Sequence, residues 1–374
     1  MHDSNPGYGL QGLPHSPRRD SWIGTSRQEM QSALICLHST HSVPVFTEPD
    51  NACILLYQTN HTTRGQMDRN AQPWAILTSW CWPAIIIFAT DQILHRLTAS
   101  TIYMDGTFKA CPKLFYQLFS IHIFIEGVQF PALYALLPGK SRDVYSRFFM
   151  LLLTKLQDLQ LVLQPTRILT DFELAQVQSV QLAFPTSHIA GCYYHYQQCI
   201  WRWVSMKGHT AALAFVPPEH VRLAWGCLQM KFGPLCTNCP PALDFSNYMY
   251  FKQTWMTGSF PISMWNHHTT TEERTNNHLE GWHYRFNTLA GKPHPNIYQL
   301  IHLLQREDGV TEIKMDQLQN GGLPPPRRKK YLNMNAIIKK LQHKYSNGKL
   351  CLEDLLHRLA AATGLLLWHE LSLC

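Results

Sequence analysis

TIYMDGTFKACPKLFYQLFSIHIFIEGVQFPALYALLP, residues 101–138, is the stretch on which the fold turns. Three runs rich in β-branched and aromatic residues, TIYMDGTF (101–108), LFYQLFSIHIFI (114–125) and FPALYALLP (130–138), follow one another with short connections, and the last closes on Pro138-Gly139. That pattern predicts an antiparallel meander. Downstream, SRDVYSRFFMLLLTKLQDLQ carries apolar residues at Val144, Phe148, Leu151, Leu152 and Leu156 behind a candidate cap at Ser141, which predicts a helix. RILTDFE reads as a buried strand with an acidic end, and LAQVQSVQLAF as a helix stopped by Pro185. HIAGCYYHY reads as a further strand running into a helical QQCIWRWV. Strands followed by strand–helix alternation imply an α/β fold, a mixed sheet with helices packed on it.

Upstream of the meander, the apolar segment Trp74 to Thr90 contains Pro83 and ends in AIIIFAT, so it reads as buried strand and not as a membrane span. Asp91 is a candidate cap for a short helix, DQILHRLTA. Residues 1–70 are rich in Ser, Pro, Gly, Asn, His and Thr without sustained periodicity, and are expected to be weakly ordered. The opening MHDSNPGYGLQG has no basic region followed by an apolar run, so a secretory signal is not expected. Beyond the alternating region, residues 205–272 are less regular. ALAFVPPEHVRLAWGCLQM is helical with Pro217-Pro218 at a helix start, and an inserted helical subdomain is expected there. A core resuming over 273–322 and a basic tail with helices over 323–374 complete the expected organisation, with 83–204 as the first part of the core.

The composition sets limits on function. Of 374 residues 45% are hydrophobic and 15% charged, which excludes a chain disordered throughout. The net charge of +7, with 20 histidines in reserve below neutrality, makes polyanions plausible partners. Eleven cysteines, odd in number and unevenly spaced, do not make a secreted disulfide scaffold, so a reducing compartment fits better.

Three acidic residues carry the chemical argument. Asp105 interrupts an apolar strand, and Gly106 after it leaves backbone room for something to approach. Burying a carboxylate costs several kcal/mol unless a cation or strong donors compensate. Asp171 ends the second strand, where it can point over the sheet edge toward the first. Glu280 lies in TNNHLEGWHYRFN, where Asn276, Asn277 and Glu280 fall at helical spacings and share a face. Two Asp and a Glu form a hard, oxygen-only set suited to Mg²⁺ or Mn²⁺, and a pair of such ions supports phosphoryl transfer. On pattern alone, a turn at Asp105-Gly106 and a helix cap at Asp171 stand as alternatives.

MDGTFKACPKLFYQLFSIH, PALYALLPGKSRDVYSRFF, RILTDFELA, IAGCYYHYQQCIWRWV, ALAFVPPEHV and RTNNHLEGWHYRFNTLAGKPHPNIYQLIHLLQRE resemble, in that order, successive blocks of the catalytic domain of Mutator-like element (MULE) transposases. The resemblance runs from about Ile85 to Tyr331. It implies an RNase H-like fold with a DDE triad of Asp105, Asp171 and Glu280, two bound Mg²⁺ or Mn²⁺ ions, and a helical insertion between the second Asp and the Glu. It further implies phosphodiester hydrolysis at terminal inverted repeats, strand transfer into target DNA, double-stranded DNA as partner, assembly of a homo-oligomer on DNA, and a nuclear location. The chain departs from the family in two ways. No N-terminal zinc domain is expected within residues 1–70, since Cys36, His38, His41, Cys53 and His61 lack ligand spacing. The segment WVSMKGHTA is also shorter than usual, as if a helix were missing. A truncated or domesticated nucleic-acid-binding relative is therefore the alternative.

Secondary motifs are weaker. Cys192 and His195 form a CxxH that the family also carries, with a structural or DNA-proximal role favoured for His195 and a core position for Cys192. Cys236 and Cys239 have the spacing of half a zinc site and no second half nearby. Arg327, Arg328, Lys329 and Lys330 read as a nuclear-import signal, a phosphate-contacting arm or a plain solvated run. His267, His268, Trp282 and His283 flank Glu280, as base-stacking groups or as core.

Overall fold

The computed structural model of the chain describes residues 84–97, 101–203, 207–232, 249–270, 274–326 and 329–363, together with the backbone of 46–47, 52–56 and 75–79. The unit Val45–Cys374 is compact, and everything below lies within it. The predicted meander is present: β5 (Thr101–Thr107), β6 (Gln117–Ile125) and β7 (Val128–Leu137) pair antiparallel. Outside β7 stand β4 (Ile86–Ala89), β3 (Ala75–Ser79), β2 (Ala52–Leu56) and β1 (Phe46–Thr47), each antiparallel to its neighbour. On the other side β8 (Arg167–Thr170) runs parallel to β5, and β9 (His188–Gly191) runs parallel to β8. The described residues thus form one mixed sheet in the order β1-β2-β3-β4-β7-β6-β5-β8-β9. Two of its strands, β1 and β2, fall in the stretch expected to be weakly ordered; the rest of 1–70 and the Cys236–Cys239 pair lie outside the described residues.

Parallel strands need crossovers, and helices supply them. Helix α1 (Asp91–Arg96) precedes β5, α2 (Arg142–Asp158) links β7 to β8, and α3 (Leu174–Ala183) links β8 to β9. Ser141 caps α2, its side chain accepting the Val144 N–H. Thr90, not Asp91, caps α1, because its hydroxyl already accepts the Ile93 N–H and leaves Asp91 inside the first turn. Alternate residues of β5 serve opposite faces of the sheet. Ile102 and Met104 enter the main core with Phe148 and Leu152 of α2 and Val180 of α3. Tyr103 turns to the other face, where it packs with Leu169, Ala190 and Leu279.

The strand expected over HIAGCYYHY ends at Gly191, and α4 (Tyr193–Trp203) begins two residues later. At that break a Cβ on Gly191 would lie 2.1 Å from the Phe172 ring, so the chain passes where only glycine fits. After α4 come α5 (Lys207–Ala212), two short 3₁₀ turns at Leu213–Phe215 and Pro218–His220, and α6 (Val221–Phe232). Pro217-Pro218 therefore starts a 3₁₀ turn before the helix. A π-helical turn (Lys252–Met256) and α7 (Ile262–Trp265) precede α8 (Asn277–Leu289) and α9 (Ile297–Gln319), and α10 (Lys329–Ser346) and α11 (Leu352–Ala362) follow. A second core joins Tyr196 of α4, Phe215, Trp225 of α6, Trp255 and Trp265 to Leu341 of α10 and Leu355, Leu356 and Leu359 of α11. Among the described residues no helix is long and apolar enough to cross a membrane.

Candidate active site

Register places the first two acids. Thr101, Ile102 and Tyr103 of β5 pair with Arg167, Ile168 and Leu169 of β8, a constant offset equal to the 66 residues between Asp105 and Asp171. Pairing stops at Tyr103–Leu169 and β8 ends at Thr170, so Asp171 follows directly on the strand that neighbours the one carrying Asp105. Asp105 shares the face of Tyr103, and Leu279 pins α8 to that face. Glu280 and His283 follow Leu279 on the same helix, so α8 lies over the strand ends.

The three carboxylates feel one another. Asp105 is 9% exposed. Burial and then the Asp171 charge push its carboxyl well above the ordinary value of 3.8, with Glu280 adding to the rise and the Gly106 N–H and Lys140 opposing it. Burial also raises Asp171, opposed chiefly by His195. Glu280 is raised by burial and by Asp171, against the pull of His195. Its half-exposed position on α8 faces His195 of α4, Nε2 to Oε1 3.6 Å.

A polar row backs Asp105. His122 Nε2 lies 3.1 Å from Ser120 Oγ, Ser120 Oγ lies 3.4 Å from His283 Nε2, and His283 Nδ1 lies 3.6 Å from Asp105 Oδ2. Burial lowers His283 to about 4, which disfavours its charged form beside Asp105. Asp105 Oδ1 accepts the Gly106 N–H at 2.7 Å. The backbone room expected at Gly106 is taken by Gln117, whose Oε1 would sit 2.3 Å from a Cβ there.

Cys192 and His195 buttress α8. Cys192, fully buried, accepts the Asn276 N–H on Sγ at 3.2 Å, and burial pushes its thiol up to about 12. Helical backbone from Tyr193 onward brings His195 round to Glu280, an orientation that a strand through this segment excludes. The face predicted for Asn276, Asn277 and Glu280 is not formed. The helix starts at Asn277, leaving Asn276 buried at its cap and Asn277 exposed.

Both amide atoms of Asn276 are buried without a hydrogen-bond partner, as are Thr170 Oγ1, Asp171 Oδ1 and His195 Nδ1. Orphan polar atoms are costly and rare in folded proteins, and these cluster on the elements that carry the acids. With hard oxygen donors and mutual repulsion, the residue types fit a divalent cation. Among the described residues, however, no three of His, Cys, Asp and Glu are grouped closely enough to hold a metal ion.

The other flagged residues are dispersed. Trp282 stacks between Tyr134 and Phe286 in the core and donates Nε1–H to Glu307 at 2.9 Å. His267 donates Nε2–H to the Gly191 carbonyl at 3.0 Å, and His268 Nδ1 lies 2.9 Å from the Phe215 carbonyl. Lys329 and Lys330 are exposed on the first turn of α10, while Arg327 and Arg328 lie outside the described residues. Lys140, which sequence reading passed over, pairs with Glu173 at 2.5 Å and lies 4.8 Å from the Phe108 ring centroid. Its only sequence signal was a lone cation after Pro138-Gly139.

No curated protein matches the chain. Residues 101–198, which carry Asp105, Asp171, Cys192 and His195 but stop short of Glu280, match the family model of the MULE transposase domain, and this match supports a Mutator-like transposase.

Proposed function

We propose that the protein is a DDE-type DNA transposase with an RNase H-like core, in which Asp105, Asp171 and Glu280 bind two Mg²⁺ or Mn²⁺ ions at the ends of two parallel strands. The observation that carries the reading is the match of residues 101–198 to the MULE transposase domain, and beside it stands Asp105, whose carboxyl is raised by burial and then by the charges of Asp171 and Glu280. In support of the core, a three-stranded meander leads into two parallel strand–helix units, and residues 207–265 intervene between Asp171 and Glu280. When bound, such ions activate an attacking water or 3′-hydroxyl and neutralise charge building on the scissile phosphodiester. The chain's own residues hold and orient the acids. His283 bounds Asp105 on its Oδ2 side, His195 faces Glu280, and Cys192 anchors the entry to α8. Double-stranded DNA as terminal repeat and target, a homo-oligomer on that DNA and a nuclear site of action belong to the same proposal.

Wild-type protein is expected to nick a duplex carrying the inverted repeats that flank its coding region when Mg²⁺ is present. Asp105→Asn is expected to be at least about a hundredfold slower. Equal nicking by both rejects the assignment. The absence of any close trio of ligands among the described residues favours a second reading, a transposase-derived nucleic-acid-binding protein without catalysis. That reading predicts DNA binding with no nicking by either form.

A further inference from the structure

Three residues beyond Asp105 begins a connection that carries two exposed aromatic rings in contact. Phe108 is 44% exposed and Tyr116 53% exposed, and their rings meet edge to face with centroids 5.6 Å apart. Lys140 Nζ stands over the Phe108 ring, and Lys109 and Lys113 are exposed on the same connection. Phe108 follows Asp105 by three residues, so their Cα atoms are at most about 11 Å apart. Lys140 ties the two places together, because its charge acts on both Asp105 and Asp171 while its side chain covers the aromatic ring.

The connection that presents these rings is anchored. The Cys111 N–H donates to the Phe108 carbonyl at 3.2 Å, and the Tyr116 N–H donates to the Leu137 carbonyl at 2.8 Å. From the turn between α8 and α9, the His294 N–H donates to the Lys109 carbonyl at 2.8 Å, and His294 Nδ1 approaches the Cys111 carbonyl at 2.9 Å. A loop held by these hydrogen bonds presents two aromatic rings that lean on each other and stay about half exposed. Aromatics interleaved with lysines, close to the three acids, match the chemistry of an unstacked base: a π-face to receive it and cations for the flanking phosphates.

We infer that Phe108 and Tyr116, with Lys140, form a stacking platform that receives an unpaired nucleobase of the DNA strand whose phosphodiester lies at the three acids. The inference rests on the reading of those acids as a DNA-processing site and adds which feature of the DNA is gripped there. It also moves the stacking role away from Trp282, which is committed to the core.

The test is binding in EDTA, where nothing is cut. Two duplexes of the same sequence are compared by fluorescence anisotropy, one fully paired and one with three unpaired bases at the end, and 2-aminopurine in the unpaired segment reports stacking. Wild-type protein is expected to prefer the frayed duplex and to quench the 2-aminopurine. The double variant Phe108→Ala/Tyr116→Ala is expected to bind the frayed duplex about tenfold more weakly, to leave the probe unquenched and to bind the paired duplex as wild type does. Phe108→Trp/Tyr116→Phe, which keeps two aromatic faces, is expected to restore both signals and controls for folding. Unchanged affinity and quenching in the alanine variant overturn the platform. Equal loss on both duplexes, or no binding by wild type, overturns it as well. Loss confined to the frayed duplex, in a protein that never nicks DNA, keeps the platform and removes the catalytic assignment.

Discussion

At Asp105 stability and function pull in opposite directions. Burial and two neighbouring carboxylates raise its folded-state value, so the protonated form is the comfortable one in the absence of a cation. The sign follows from linkage. A raised carboxyl contributes stability that is fully present below its unfolded value and is lost as pH rises through the folded value. Asp105→Asn is therefore expected to melt higher than wild type at neutral pH in EDTA, and to lose the rise in melting temperature that Mg²⁺ gives wild type. A lower melting temperature for the variant in EDTA would refute that view of the residue. Gly106 is fixed by its neighbour: Gln117 donates Nε2–H to Tyr145 Oη at 2.9 Å and to the Gly139 carbonyl at 3.3 Å, so it cannot swing clear of a new methyl group. Gly106→Ala is expected to cost about 1–3 kcal/mol in urea unfolding.

Among the elements, α8 determines whether a site exists at all, since it alone brings Glu280 over the strand ends. It is clasped to α9 through Glu307, 2% exposed, which accepts Trp282 Nε1–H and both terminal nitrogens of Arg285. Glu307→Leu strands the Trp282 donor and is expected to cost about 2 kcal/mol and to weaken Mg²⁺-induced stabilisation, read by thermal melting with and without the ion. Asp308 beside it is a pH-sensitive element of the same helix. Burial, and then Glu312, raise it to about 7 from an ordinary 3.8. Its contribution to stability is present below about pH 4 and is lost as pH climbs to about 7. Asp308→Asn is expected to flatten the stability profile over that interval, and an unchanged slope would exclude Asp308 as its source.

Across the whole molecule two cores share the work, and the second draws on parts of the chain far apart in sequence. Leu355, Leu356 and Leu359 of α11 and Leu341 of α10 close over Phe215, Trp225 and Trp255. Arg274, immediately upstream of α8, packs on the Phe215 ring at 4.9 Å and donates to Asn335 Oδ1 of α10 at 2.5 Å. The C-terminal helices thus pack into the second core together with the segment that leads into α8. A chain ending at Gly322 is expected to bind hydrophobic dye and to lose cooperative melting; retention of a sharp transition would show the second core to be dispensable.

The meander, the capped α2, the buried RILT strand and the candidacy of Asp105, Asp171 and Glu280 were legible in sequence, because periodicity, capping chemistry and acids interrupting apolar runs are local signals. The 66 residues between Asp105 and Asp171 were visible as a number but meaningless until the pairing of β5 with β8 showed the same offset. Only tertiary packing decided that the chain turns helical right after Gly191, that Gln117 and not a ligand fills the space at Gly106, that Trp282 is core while Phe108 and Tyr116 face water, and that α11 completes a core begun at α4. Each of these depends on which side chains meet across the fold, and a residue's own sequence neighbourhood holds no record of a contact a hundred positions away.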